Sequence, residues 1–270
     1  MEVHHPHHPT HKKDWKEYIT EFIMLFTAVS LGFLAENIRE QYIEKERAHE
    51  YLQHLESDID NNIHFIDSLI VADNQLILKF EKAFLYLATS TSVDLDSLYK
   101  NLPSNVNRFL SKNDTYEQMK SSGSLRYVKD QALLDLILDY SNAAQAAESR
   151  STQMETEFTT THWMIAVNSF MTEAHTISEY KRIRKGELGI LDDSITKSII
   201  DSNYQSNENI LNNIPLRKSI VGGQELQTIK NRLMPYLIRR MGLVVNTMKF
   251  MASAKQKGVT LKKYISEHLK

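Results

Sequence analysis

Residues 21–37 read EFIMLFTAVSLGFLAEN, and no other stretch constrains the fold as strongly. Phe22 to Ala35 carry no charge. As an α-helix they cover about 21 Å, short of a hydrocarbon core of roughly 30 Å. The apolar character continues outward through Tyr18, Ile19 and Ile38, and the run from Tyr18 to Ile38 covers about 32 Å of helix. Trp15 and Tyr18 stand at one border, where amphipathic rings favour the lipid–water boundary, with Lys12, Lys13 and Lys16 before the run. A cleaved signal peptide needs a small-x-small site. Phe33-Leu34-Ala35 has a bulky residue at the first small position, and Ala28-Val29-Ser30 leaves an apolar core of only about eight residues. Length and flanks together predict an uncleaved transmembrane helix over 15–39, preceded by a flexible tail over 1–14.

At ~100° per residue, Glu21, Leu25, Ala28, Gly32, Ala35 and Glu36 share one side of that helix. Phe22, Phe26, Val29 and Phe33 gather on another. Ala28 and Gly32 form a small-xxx-small pair, which lets helix backbones approach closely in lipid. The stripe is therefore expected to pack against a second copy or a membrane-protein partner. Glu21 and Glu36 either sit inside that contact or reach to water at the two interfaces. Three Lys or Arg precede the run and three follow it soon after (Arg39, Lys45, Arg47), so the positive-inside rule is tied. The partly charged histidines of the tail tip the expectation to tail inside, with the rest of the chain periplasmic.

Beyond the run the apolar period continues. Leu52, Leu55, Ile59, Ile63, Ile66, Ile70, Ile77, Phe80, Phe84 and Leu87 recur mostly at threes and fours, with Asp73 breaking the stripe once. No Gly or Pro occurs between Phe33 and Leu102, so the membrane helix is predicted to continue to about residue 88. Asp130 is a plausible cap for a second helix running to about 184, with the stripe Leu133, Ile137, Tyr140, Ala144, Ala147, Ser151, Met154 and Phe158. A compact connector over 89–129, ending its short helical turns at Gly123, joins the two. After a loose, asparagine-rich segment over 186–223, a third helix spans 224–257 through Leu226, Ile229, Leu233, Leu237, Met241, Val244, Met248 and Met251. Gly258 is expected to break it before a short terminal helix. The matching lengths predict an up-and-down order in which the first helix rises, the second returns and the third rises again. The predicted fold is thus all-α: one N-terminal transmembrane helix continuing into an elongated antiparallel helical bundle over 40–270.

Chemistry finds little purchase. The formal net charge of -2 gives no pull toward nucleic acid, and the absence of cysteine removes disulfides, thiolate metal sites and cysteine nucleophiles. His49-Glu50-Tyr51-Leu52-Gln53-His54 resembles a zinc-protease motif, but its second histidine comes one residue late and points about 140° away. His162, Trp163 and His175 read as packed or hydrogen-bonded residues. There is no phosphate-cradling glycine loop, no nucleophile elbow and no catalytic set, so no enzyme activity and no cofactor are expected. His4, His5, His7, His8 and His11 could hold Zn²⁺, Cu²⁺ or Ni²⁺ loosely, on a tail that Pro6 and Pro9 keep extended.

MEVHHPHHP, followed by KEYITEFIMLFTAVSLGFLAENIRE and TYEQMKSSGSLRYVKDQALLDLILDYSN, resembles a family of single-span membrane proteins found mainly in Bacteroidota. The likeness is most specific over 1–55 and weaker over 115–142. It implies a real membrane segment and an inner-membrane address; the family has no assigned activity, so it carries no functional residues across. The reading that follows is a single-pass, membrane-anchored helical scaffold or interaction protein, oligomeric through its membrane helix and the helix adjoining it. The alternative is a sensing bundle, with a ligand near Trp163 or in 186–223, that signals through the membrane helix to a partner.

Overall fold

A computed structural model of the chain describes residues 14–184 and 219–268. The five tail histidines and most of the asparagine-rich segment lie outside the described residues. Among the described residues the architecture is all-α, apart from one two-stranded ribbon.

Helix α1 runs without interruption over Trp15–Thr89, about 112 Å at the usual rise. Asp14 starts it by accepting from the Trp15 N–H at 2.9 Å. Its first part is long and apolar enough to cross a membrane, and no residue of that apolar window is buried. From Ala48 onward one face is covered. Leu52, Leu55, Ile59, Asn62, Ile66, Leu69, Asp73, Leu76, Phe80, Ala83 and Leu87 are all buried, in strict steps of three and four. Asp73 therefore does not break the stripe; it belongs to it.

After α1 come β1 (Ser92–Asp94), α2 (Leu95–Asn101) and then an extended crossover over 102–113. α3 (Asp114–Ser121) and a 3₁₀ turn (Ser124–Tyr127) complete the connection. The crossover travels back along α1: the Asn107 amide meets Asp73, and the Lys112 backbone meets Asn62. Five crossover residues thus descend past eleven of α1, about 3.3 Å for each, the rise of a fully extended chain. Gly123, at φ 71°, ends α3 in the left-handed conformation that suits glycine.

A second rod then starts beside the middle of α1. It comprises α4 (Gln131–Ser149), a π-helical stretch (Arg150–Glu155), α5 (Thr156–Phe158), a second π-helical stretch (Thr159–Trp163) and α6 (Met164–Asn168). Asp130 caps it, accepting from the N–H groups of Ala132 and Leu133. The rod stops at Asn168, short of the predicted 184, without any Gly or Pro. Ser169 and Phe170 turn back on Ala166 and Val167, and the Thr172 hydroxyl accepts from the His175 N–H to open α7 (Glu173–Arg184). β2 (Ile220–Gly222) pairs antiparallel with β1, and α8 (Gly223–His268) closes the chain.

α8 runs antiparallel to both rods. Lys230 reaches the carbonyls of Ala88 and Ser90, Lys255 pairs with Asp67 and Lys262 with Asp60. Against the second rod, Arg150 lies over Phe250, Lys257 pairs with Asp139 and Tyr264 donates to Asp130. It follows that α1 and the second rod are parallel, which corrects the up-and-down order. The extended crossover makes the return journey that the second helix was expected to make.

Gly258 also behaves differently from expectation. α8 passes straight through it, because the residue is where three helices converge: a Cβ there would lie 3.0 Å from both Ile59 Cγ2 and Tyr140 Cε2. The apolar seam of α1 is filled by the chain's own rods in three successive clusters, anchored by Leu55 and Ile137, by Ile66 and Met251, and by Phe80 and Leu237. Each such fully buried side chain contributes about 1.5–3 kcal/mol.

Candidate functional site

The most costly feature of the core is a group of charges about halfway along the bundle. Its origin lies in the spacing of the second rod. Ala147, Ser151, Glu155, Thr159, Trp163 and Val167 follow at intervals of four, and all are buried. On an ideal α-helix each such step drifts by about 40°, so four steps would carry Trp163 to the side opposite Ala147. The two π-helical stretches, with wider i→i+5 turns, take up that drift and keep the row facing inward. Glu155 enters the core for this reason.

Three elements add to it. α1 supplies Asp73, α8 supplies Arg240 and the crossover supplies Asn107, Pro103 and Asn105. Asp73, Glu155, Arg240 and Trp163 are each 0% exposed. Asn107 donates its amide to Asp73 Oδ1 at 2.8 Å, and the Arg240 Nη1 and Nη2 groups donate to the carbonyls of Pro103 and Asn105. The guanidinium carbon lies 5.1 Å from the Phe80 ring centre and 5.2 Å from that of Trp163. Those two rings meet edge to face at 5.9 Å. Stacking between aromatic faces suits a guanidinium that has left water.

The electrostatics follow from burial. Glu155 is pushed up to about 7, mainly by loss of water, with the nearby Asp73 charge raising it further and Arg240 opposing. Asp73 is pushed up to about 6 by burial, against the Asn107 hydrogen bond. Burial draws Arg240 down to about 10, and Glu155 holds it back. Both Glu155 oxygens, Asp73 Oδ2, Thr159 Oγ1, Trp163 Nε1 and Arg240 Nε have no hydrogen-bond partner among the described residues. Burial thus favours the protonated form of both carboxyls over their charged forms.

The residues singled out in the sequence are placed elsewhere. Leu25, Ala28, Gly32, Ala35 and Glu36 are exposed on α1 and Glu21 is half-buried. Glu36 pairs with Arg39, and a Cβ added at Gly32 would meet nothing within 4 Å. His49 contacts Gln53 at 2.9 Å and His54 faces Glu50 at 4.0 Å, each on the outer face of α1. His175 packs on the Tyr99 ring at 3.8 Å, and His162 lies in a surface groove beside the core residue Trp163. Among the described residues no group of three or more His, Cys, Asp or Glu could hold a metal ion.

The charged centre escaped the sequence reading. A 3.6-residue period selects Met154 and Met241 where the fold buries Glu155 and Arg240; Met154 is 46% exposed. The unbroken four-residue row from Ala147 to Val167 was the signal available. No protein-family model, curated protein or solved structure matches the chain.

Proposed function

We propose that the chain is a single-pass, membrane-anchored helical scaffold that acts by associating, through its membrane helix, with a second copy or a membrane-protein partner. The continuity of α1 supports this most directly. One helix carries a wholly exposed apolar segment and then becomes the seam of the bundle, so a partner gripping the segment also holds the bundle. The Ala28–Gly32 face is open on the chain itself and suits close helix contact in lipid. The adjoining core stripe is consumed within the chain, since Leu55 is 1% exposed, and cannot extend that contact. Beyond the membrane segment α1 exposes, among others, Val71, Leu78 and Leu85, seven residues apart and facing away from the core. The test is bismaleimide crosslinking in native membranes of Ala28→Cys and Leu78→Cys, in a chain with no other cysteine. Intermolecular adducts at Ala28→Cys support the reading, and none at either position sinks it.

The address proposed is a bacterial inner membrane, tail inside and bundle in the periplasm. Ser266 is exposed near the end of α8. Labelling of Ser266→Cys by an impermeant maleimide in intact cells supports that side; labelling only after lysis reverses it. A second reading, a bundle that senses a condition and relays it, draws support from Asp73: a member of the charged centre sits on the very helix that carries the apolar segment.

A further inference from the structure

We propose that the groove between the π-helical part of the second rod and α8 binds a small molecule joining an oxyanion to a flat ring. This goes beyond the association reading and is independent of it. The groove is an open surface depression of about 820 Å³.

Its charge is one-sided. Arg232 and Arg239 project into it from α8, about 10 Å apart along the axis, and His162 faces them from the rod. Among the described residues, none that lines it is acidic. Both arginines are exposed, and among the described residues neither is held in an ion pair, so their forked donors are available to an oxyanion. Divalent cations are disfavoured by the same charges.

Its other wall is aromatic. Phe158 and Tyr236 are half-buried with ring centres 6.0 Å apart, and Phe158 lies 5.6 Å from the His162 ring. Such a surface takes a flat ring by stacking. Pro235, between the two arginines, has no N–H for the Asn231 carbonyl, so that carbonyl keeps an acceptor free of its helical bond at the groove edge. Groove residues also alternate with members of the charged centre: Arg239 precedes Arg240, His162 precedes Trp163 and Phe158 precedes Thr159.

The experiment is calorimetric titration of the full chain in non-ionic detergent with three probes: phenyl phosphate, inorganic phosphate and phenol. Phenyl phosphate is expected to bind below about 1 mM, with phosphate at least tenfold weaker and phenol weaker still. Arg232→Ala and Arg239→Ala each weaken phenyl phosphate by about tenfold, and Tyr236→Leu narrows its advantage over phosphate. Arg126→Ala, at the other end of the bundle, leaves binding unchanged. Thermal melts confirm that each variant folds. The proposal is overturned if phenyl phosphate binds no tighter than phosphate, or if both groove-arginine variants stay within twofold of the parent.

Discussion

Asn62 grips the main chain of Lys112: its amide donates to the Lys112 carbonyl at 2.8 Å, and its carbonyl accepts from the Lys112 N–H at 2.7 Å. The same amide donates to the Tyr140 hydroxyl at 2.9 Å. One side chain thereby ties α1, the crossover and the second rod together. Just below it, Asp58 accepts from the N–H and hydroxyl of Thr115 and pairs with Lys112 at 3.2 Å, fixing the start of α3.

Replacing Asn62 by leucine keeps the volume and strands these groups away from water. The expected loss is about 2–4 kcal/mol, since each orphaned buried group costs about 1–3 kcal/mol. Urea unfolding of the full chain in detergent measures it. A loss under about 0.5 kcal/mol would show that the crossover is held by something else.

Two glycines of α8 should respond in opposite ways to the same substitution. Gly258→Ala forces a methyl against Ile59 and Tyr140 and is expected to cost about 1–3 kcal/mol. At Gly242 a Cβ meets nothing within 4 Å, so Gly242→Ala is expected to stabilise by up to about 1 kcal/mol through helix propensity. Equal effects in thermal melts would contradict the close approach of the three helices at Gly258.

Stability should fall as pH rises through the window set by the charged centre. Unfolded, Glu155 loses its proton near 4.5; folded, near 7. Between those values the folded chain keeps the proton and the unfolded chain does not, so unfolding becomes easier with rising pH, and the full cost is present above the window. Asp73 acts in the same direction from 3.8 to about 6. At about 1.4 kcal/mol for each pKa unit, Glu155 accounts for at most about 3–4 kcal/mol. Glu155→Gln is expected to reduce the fall in unfolding free energy between pH 5 and 7 by about two-thirds, the remainder being Asp73 below about pH 6. Identical slopes for parent and variant would remove Glu155 from the account.

The features legible in the sequence were local ones. A stretch with no Gly or Pro from Phe33 to Leu102 and an apolar step of three and four has little else to become, and α1 takes up most of it. Asp130 announced its cap in the same way. Helix direction was not legible, because matching lengths fit either order, and the parallel arrangement is decided by a crossover that has no apolar period. The charged centre was hidden for a related reason. Polar residues at core positions look like gaps, and the π-helical turns shift the period away from 3.6 at Glu155. Gly258 was misread because its role is tertiary, a close approach rather than a turn.

The central claim is that the exposed face of α1's apolar segment is a helix–helix contact in the membrane. Its most direct test is Ala28→Cys crosslinking with and without Gly32→Leu. The chain itself has room at Gly32, so Gly32→Leu should leave the melting temperature unchanged while removing the Ala28→Cys adduct. An adduct that survives Gly32→Leu at full yield would contradict packing through this stripe.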